Sequence, residues 1–372
     1  MSKILIFAND YKTIANFRME LLERFVELGH KVTLSLPEDE RNHVFTDMGC
    51  SVISAPITRH GTNPIAELKL IRIYKKQIKQ VAPDCVLTFT VKPNIYASIA
   101  AAAKNVPYIN NITGLGSVMQ SESFLKKMML RLQKYAYRKS ACVFFQNEGN
   151  LRYFKERGIV GEQARLLPGS GVNLALHAFS EYPPERETTD IAIISRLRKD
   201  KGYDEFFAMM QKLLPRYPKL RFHIIGWVEE EAYREKLAQY EKEPRVIYHG
   251  ELTQTQVHEV MQSCHCLCHP SYHEGMANVL MEAAAAGRPT LASDIPGCKE
   301  IIDDGLTGFT FRAQDADALT DAVERFLAMD EHAHREMGIR AREKMEREFD
   351  REIVIRKYLE QIEAVTALKV GE

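Results

Sequence analysis

A chain of 372 residues exceeds what one ordinary hydrophobic core supports and suits two domains of roughly 180 residues each. Fifty basic and fifty acidic residues cancel, which excludes a global field recruiting nucleic acid or an anionic surface and makes any such attraction local. The 45% hydrophobic fraction is that of a globular protein, and seven cysteines without framework spacing fit a reducing compartment.

Residues 3–8 read as a strand, 14–28 as a helix stopped by Gly29, and 30–36 as the next strand. The apolar run at 4–8 is too short for a signal peptide, and nothing later approaches the roughly eighteen apolar residues of a membrane span, so a cytoplasmic protein is expected. Residues 9–18 contain no glycine, which removes the warrant for a dinucleotide-binding turn. A strand near Val52, a helix over 64–81, a strand over 84–90, a helix over 94–104 and a strand over 107–112 continue the alternation. Loops at the ends of the last two strands carry Lys92 and a glycine-bearing run through Thr113, Gly114 and Gly116.

Residues 119–139 hold Lys126, Lys127, Arg131, Lys134, Arg138 and Lys139 against the single acid Glu122, interleaved with apolar side chains. A basic amphipathic helix of this kind can lie on an anionic lipid interface, each cation contributing roughly 1 kcal/mol. The alternative is a solvated helix with one face in the core. A strand over 141–146, a helix over 148–157 and a strand and turn through Gly169 and Gly171 follow. The polar, proline-bearing stretch 180–190 then marks the expected boundary, giving domains 1–180 and 181–350 and a C-terminal helix within 351–372.

The second half repeats the pattern. A strand over 191–194 runs into Ser195-Arg-Leu-Arg-Lys-Asp-Lys-Gly202, which places Arg196 and Lys201 at a strand's carboxyl end, where parallel α/β sheets bind ligands. Arginine offers phosphate a planar fork and lysine a compact charge. Strands over 220–225 and 246–249 end at Gly226 and near Leu252. Cys264-His-Cys-Leu-Cys-His269 invites a metal reading, but alternation of small residues before a loop is what a buried strand shows, and no metal is expected.

The stretch 269–289 is a strand end, a loop and a helix. Glu274 and Gly275 lie in the loop, the helix begins near Ala277, and Glu282 follows Glu274 by eight positions. Two carboxylates thus bracket a helix start whose backbone amides favour an anion, an arrangement suited to a nucleotide sugar. Asp315 and Asp317 resemble a metal-binding pair but precede an amphipathic helix, so capping is expected.

S-R-L-x3-K-G followed by P-S-x3-E-G-x6-E-A-x3-G-x-P resembles the donor-binding half of retaining family-4 glycosyltransferases of the GT-B architecture, and the resemblance spans essentially the whole chain. It implies two Rossmann-like domains whose parallel sheets face a cleft, with the C-terminal helix crossing back to the first. Carried onto this sequence, it implies that Arg196 and Lys201 hold the donor diphosphate and that Glu274, with the backbone of Gly275 and Met276, meets the transferred sugar. Glu282 would meet the ribose, Ala277 and Asn278 would extend the donor loop, and Gly226 and Leu252 would flank a uracil. Gly171 would approach from the other side. Asn16-Phe-Arg18 resembles a subset acting on lipid-linked glycans, and residues 88–116 resemble its α-1,3-N-acetylgalactosaminyltransferases. Asn16, Arg18, Lys92, Thr113 and Gly114 are therefore the acceptor-binding candidates. The absent glycine-rich loop at 9–18, and lysine at 92 where relatives often carry histidine, depart from the family pattern. The expected partners are a UDP-sugar, a polyprenyl-diphosphate-linked glycan and the inner membrane face, with no cofactor. Competing readings are a nucleotide-sugar 2-epimerase, another GT-B enzyme and a soluble acceptor.

Overall fold

The computed structural model describes residues 1–57, 63–114, 124–183 and 188–370. The expected loop at 115–117, the start of the basic stretch and residues 184–187 lie outside the described residues. The chain forms two units, Met1–Ser170 with Glu352–Glu372, and Gly171–Arg351.

In the first unit the strands are β1 (Lys3–Phe7), β2 (Lys31–Leu36), β3 (Ser51–Ser54), β4 (Cys85–Phe89), β5 (Tyr108–Ile112), β6 (Cys142–Phe145) and β7 (Ala164–Leu166). They form one parallel sheet in the order β3-β2-β1-β4-β5-β6-β7. The central strands read as unbroken apolar runs because helices cover both faces. Those helices are α1 (Tyr11–Ala15), α2 (Met19–Glu27), α3 (His43–Asp47), α4 (Pro64–Val81), α5 (Val91–Ala102), α6 (Phe124–Tyr137) and α7 (Glu148–Glu156).

The second unit has β8 (Thr189–Ile194), β9 (Leu220–Ile225), β10 (Val246–Gly250), β11 (Cys266–His269), β12 (Thr290–Ser293) and β13 (Gly308–Phe311), again all parallel, in the order β10-β9-β8-β11-β12-β13. Its helices are α8 (Tyr203–Leu213), α9 (Ala232–Ala238), α10 (Gln254–Ser263), α11 (Asn278–Ala285), α12 (Ala316–Leu327) and α13 (Glu331–Lys344). Asp315 caps α12, its Oδ1 accepting from the Asp317 and Ala318 amides at 3.0 Å. Strand order reverses between β1 and β4 in one sheet and between β8 and β11 in the other. Crevices at such switch points are where doubly wound sheets take ligands.

Helix α14 (Arg351–Val370) closes the chain, and its Val354, Ile355, Tyr358, Ile362 and Val365 are buried in the first unit's core with Ile4, Leu34 and Phe144. Two expectations change. The helix expected over 14–28 is α1 and α2 with a break at 16–18, because Arg18 turns into the core, 3% exposed, its guanidinium 4.9 Å from the Phe89 ring centroid. The expected boundary at 180 moves to 170, since Ser180 and Glu181 are stitched into the second unit by Arg288.

Candidate active site

The second unit's switch point gathers charged side chains from two loops. β8 ends in the loop bearing Arg196 and Lys201, and β11 ends in the loop bearing Glu274. The two loops touch directly. Gly202 has φ +75°, and a Cβ there would collide with the Pro270 carbonyl, so only glycine allows this approach. The Tyr272 amide donates to Asp200 O at 2.9 Å, and the Ser271 hydroxyl donates to the same carbonyl at 3.3 Å.

These contacts bring Lys201 Nζ to 2.6 Å from Glu274 Oε1, and His269 Nε2 reaches the same oxygen at 2.8 Å. Burial would push the Glu274 carboxyl up, but Lys201 and His269 outweigh it and hold the group well below the usual carboxylate range. Glu274 is therefore ionised throughout the neutral range. Glu282, on α11, goes the other way: burial pushes it from 4.5 up to about 7, with Arg351 only partly opposing. Two carboxyls eight residues apart thus carry opposite charge tendencies.

Arg196 does not join this cluster. Its Nη1 pairs with Glu229 Oε2 at 2.7 Å, its guanidinium lies 5.9 Å from the Trp227 ring centroid, and Arg198 shares Glu229 at 3.3 Å. Of the two expected cations, Lys201 meets one of the two acids, Glu274, whereas Arg196 is paired with Glu229.

At the start of α11, Met276 and Ala277 are buried, and the Ala277 amide donates to Gly297 O at 2.8 Å. That bond ties the start of α11 to the neighbouring loop. Asn278 Oδ1 is buried and has no hydrogen-bond partner among the described residues. The Gly226 amide donates to Gly250 O at 2.8 Å, joining the ends of β9 and β10, and Leu252 follows, half-buried. Gly171 packs against Arg351, whose Nη2 donates to its carbonyl at 3.1 Å. Gly275 sits beneath Gly297, whose Cβ position would lie 2.8 Å from the Gly275 carbonyl.

The first unit has its own polar ends at its switch point. Lys92, in the first turn of α5, pairs with Glu67 Oε1 at 2.7 Å, both side chains largely covered. Thr90 before it has φ +70°, strained for a β-branched residue. A buried network holds this turn: Thr88 Oγ1 donates to Asn94 Oδ1 at 2.6 Å, and Asn110 Nδ2 donates to Thr88 Oγ1 and Ser98 Oγ at 2.7 Å. Asn16 lies in the α1–α2 break and Thr113 and Gly114 follow β5, while Arg18 is too deeply buried to serve as an open anion site.

Helix α6 has a buried face and an exposed basic face. Gln133, Ala136 and Tyr137 are buried, whereas Lys127, Arg131, Lys134, Arg138 and Lys139 are exposed beside Met128 and Tyr135. Lys126 is half-buried, 6.0 Å from the Tyr153 ring centroid. Among the described residues no helix is long and apolar enough to cross a membrane.

Two residues escaped sequence reasoning. In the sequence His269 invites weighing as a metal ligand and reads as the end of a buried strand, and its link to Glu274, five residues on and within side-chain reach, is missed. Arg288 is 1% exposed and donates to the carbonyls of Ser180, Glu181, Gln262, Ala286 and Gly287 and to Ser180 Oγ, at 2.7 to 3.2 Å. Burial lowers its pKa to about 10.

The glycosyl transferases group 1 pattern matches residues 177–344, and the glycosyl transferase 4-like pattern matches residues 3–147. An N,N'-diacetylbacillosaminyl-diphospho-undecaprenol alpha-1,3-N-acetylgalactosaminyltransferase of Campylobacter jejuni is 24% identical over 95% of this chain and 96% of its own. In fold, the chain is similar to a sucrose-phosphate synthase of Thermosynechococcus elongatus, with TM-score 0.79 and 19% identity over 99% of this chain and 100% of the other. It is equally similar to Anabaena HepE in complex with UDP-glucose, with TM-score 0.79 and 16% identity over 98% of this chain and 100% of the other.

Proposed function

The chain belongs to the family-4 glycosyltransferases of the GT-B fold, and we propose that it moves N-acetylgalactosamine, or another hexosamine or hexose, from a UDP-sugar to an undecaprenyl-diphosphate-linked saccharide. The observation that carries the reading is the meeting of Lys201, Glu274 and His269 at the β8/β11 switch point, with Glu282 on the adjoining helix. The full-length similarity to the Campylobacter jejuni enzyme supports the lipid-linked acceptor and the choice of sugar.

Transfer breaks an anomeric C–O bond, and negative charge grows on the departing diphosphate. Lys201 and Arg196 are the cations that answer it, and the loss of one such preorganised contact costs roughly 3 to 4 kcal/mol of transition-state stabilisation. Arg196 must exchange Glu229 for the diphosphate to do so. Glu274 accepts a hydroxyl of the transferred sugar, and Glu282 meets the ribose, where a carboxyl near neutrality can donate or accept. The acceptor hydroxyl attacks on the face the leaving group vacates and passes its proton to the departing phosphate oxygen, giving retention and releasing UDP, and no metal is required with two cations on the diphosphate. The exposed basic face of α6 supports attachment to the anionic inner surface of the membrane, where a polyprenyl carrier resides.

The test offers UDP- and GDP-sugars with short polyprenyl-diphosphate glycans and scores products by mass, with the anomeric configuration read by NMR. A UDP-N-acetylhexosamine is expected to serve as donor, giving a glycan longer by one N-acetylhexosamine whose anomeric configuration is retained. Formation of an epimer from UDP-sugar without acceptor would replace this reading with an epimerase.

A further inference from the structure

Glu274 is carried by an irregular loop, so nothing in regular secondary structure fixes its carboxylate. Two donors do. Lys201 Nζ at 2.6 Å and His269 Nε2 at 2.8 Å both address Oε1, and among the described residues no hydrogen bond reaches Oε2. His269 is the last residue of β11, 4% exposed, and its backbone pairs in register with Ala292 of β12, so its ring projects from a rigid sheet. Because Glu274 is ionised and can only accept, it is Nε2 that carries the shared proton. Lysine supplies charge through a flexible stem; the imidazole supplies direction.

We propose that His269 is a positioning residue which, with Lys201, pins Oε1 of Glu274 and turns Oε2 towards a hydroxyl of the transferred sugar. This rests on the reading that Glu274 contacts that sugar. The consequence is a division of labour: His269 governs recognition and turnover of the sugar moiety and leaves the nucleoside diphosphate contacts untouched. A residue whose role was only to pack β11 would instead affect both.

The experiment compares wild type, His269→Leu, His269→Gln, His269→Asn and Glu274→Gln. Glutamine places its amide nitrogen where Nε2 stands, leucine removes the donor, and asparagine keeps polarity but falls short of Oε1. Two quantities are read: hydrolysis of UDP-GalNAc, UDP-GlcNAc, UDP-galactose and UDP-glucose without acceptor, and calorimetric affinity for UDP alone. His269→Leu should lower turnover of every UDP-sugar that wild type hydrolyses by about tenfold or more, consistent with losing a hydrogen bond to a charged group. UDP affinity should stay within about twofold. His269→Gln should recover to within about threefold, and His269→Asn should not; the latter pair carries the comparison should His269→Leu fail to fold. Wild-type turnover in His269→Leu, no advantage of glutamine over asparagine, or a parallel loss of UDP affinity overturns the proposal. Full turnover in Glu274→Gln would remove the underlying reading of Glu274 instead, whereas an impaired Glu274→Gln beside an unimpaired His269→Leu removes the role of His269 alone.

Discussion

Replacing Glu282 with glutamine should stabilise the second unit and weaken the ligand. In the folded chain burial lifts this carboxyl from 4.5 to about 7, while in the unfolded chain it titrates at its ordinary value. Between those two values the native state holds a proton that the unfolded state has released, so stability falls as pH rises through the window and stays low above it. At about 1.4 kcal/mol per pH unit, the burden at alkaline pH is roughly 3 kcal/mol, of which about 2.5 kcal/mol develops between pH 5 and pH 8. Glutamine mimics the protonated acid and carries no such burden. The single tryptophan, Trp227, lies in the second unit, so its fluorescence during urea unfolding reports on that unit. Glu282→Gln should match wild type near pH 4.5 and exceed it by roughly 3 kcal/mol at pH 8, about 6 to 12 °C in Tm for a unit of this size. Affinity for UDP should drop about tenfold if the carboxyl meets the ribose, the usual exchange of stability for function at a built site. Parallel pH profiles for the two proteins, or a glutamine variant less stable at pH 8, would refute the argument from burial.

Arg196→Ala should lower turnover by about a hundredfold or more, measured as UDP release, and Glu229→Gln, which frees the guanidinium, should tighten UDP binding by about threefold. Arg288→Met should cost the second unit about 3 kcal/mol or more in the same fluorescence assay, because it strands several buried carbonyls. Donor hydrolysis should persist within about twofold in EDTA; a loss restored by Mg²⁺ would place a metal on the diphosphate. Neutralising Lys126, Lys127, Arg131, Lys134, Arg138 and Lys139 should abolish flotation with anionic liposomes, and retained flotation would move the anchor elsewhere.

The alternation of strands and helices was legible because parallel sheets buried on both faces produce apolar runs punctuated by glycine and proline, as at Gly29 before β2 and Gly287 before β12. Other features are set by residues distant in sequence. Apolar spacing runs unbroken through 14–28, and the break at 16–18 accompanies the burial of Arg18 against Phe89 and Tyr358 of the C-terminal helix. The polar stretch from 180 looks like a linker, yet Arg288 consumes its carbonyls and binds it to the second unit. Composition reports what a segment can do without partners; Arg288 supplied the partner from 108 positions away.

The same distinction explains the site. Arg196, Lys201 and Glu274 follow the two strands, β8 and β11, that flank the reversal of one sheet, and Asn16 and Lys92 follow β1 and β4, which flank the reversal of the other. Chain topology fixes that placement, and local pattern reveals the topology, so a sequence discloses where functional groups gather. It does not disclose which charge answers which. Lys92 meets Glu67, Arg196 meets Glu229, and Glu274 takes both Lys201 and His269. Each pairing depends on a few ångströms of loop geometry, such as the approach of Gly202 to Pro270 that carries Lys201 to the acid. If that approach sets the site, a side chain at 202 should separate Lys201 from Glu274 without touching either, and a Gly202→Ala enzyme should lose turnover with both charged residues intact.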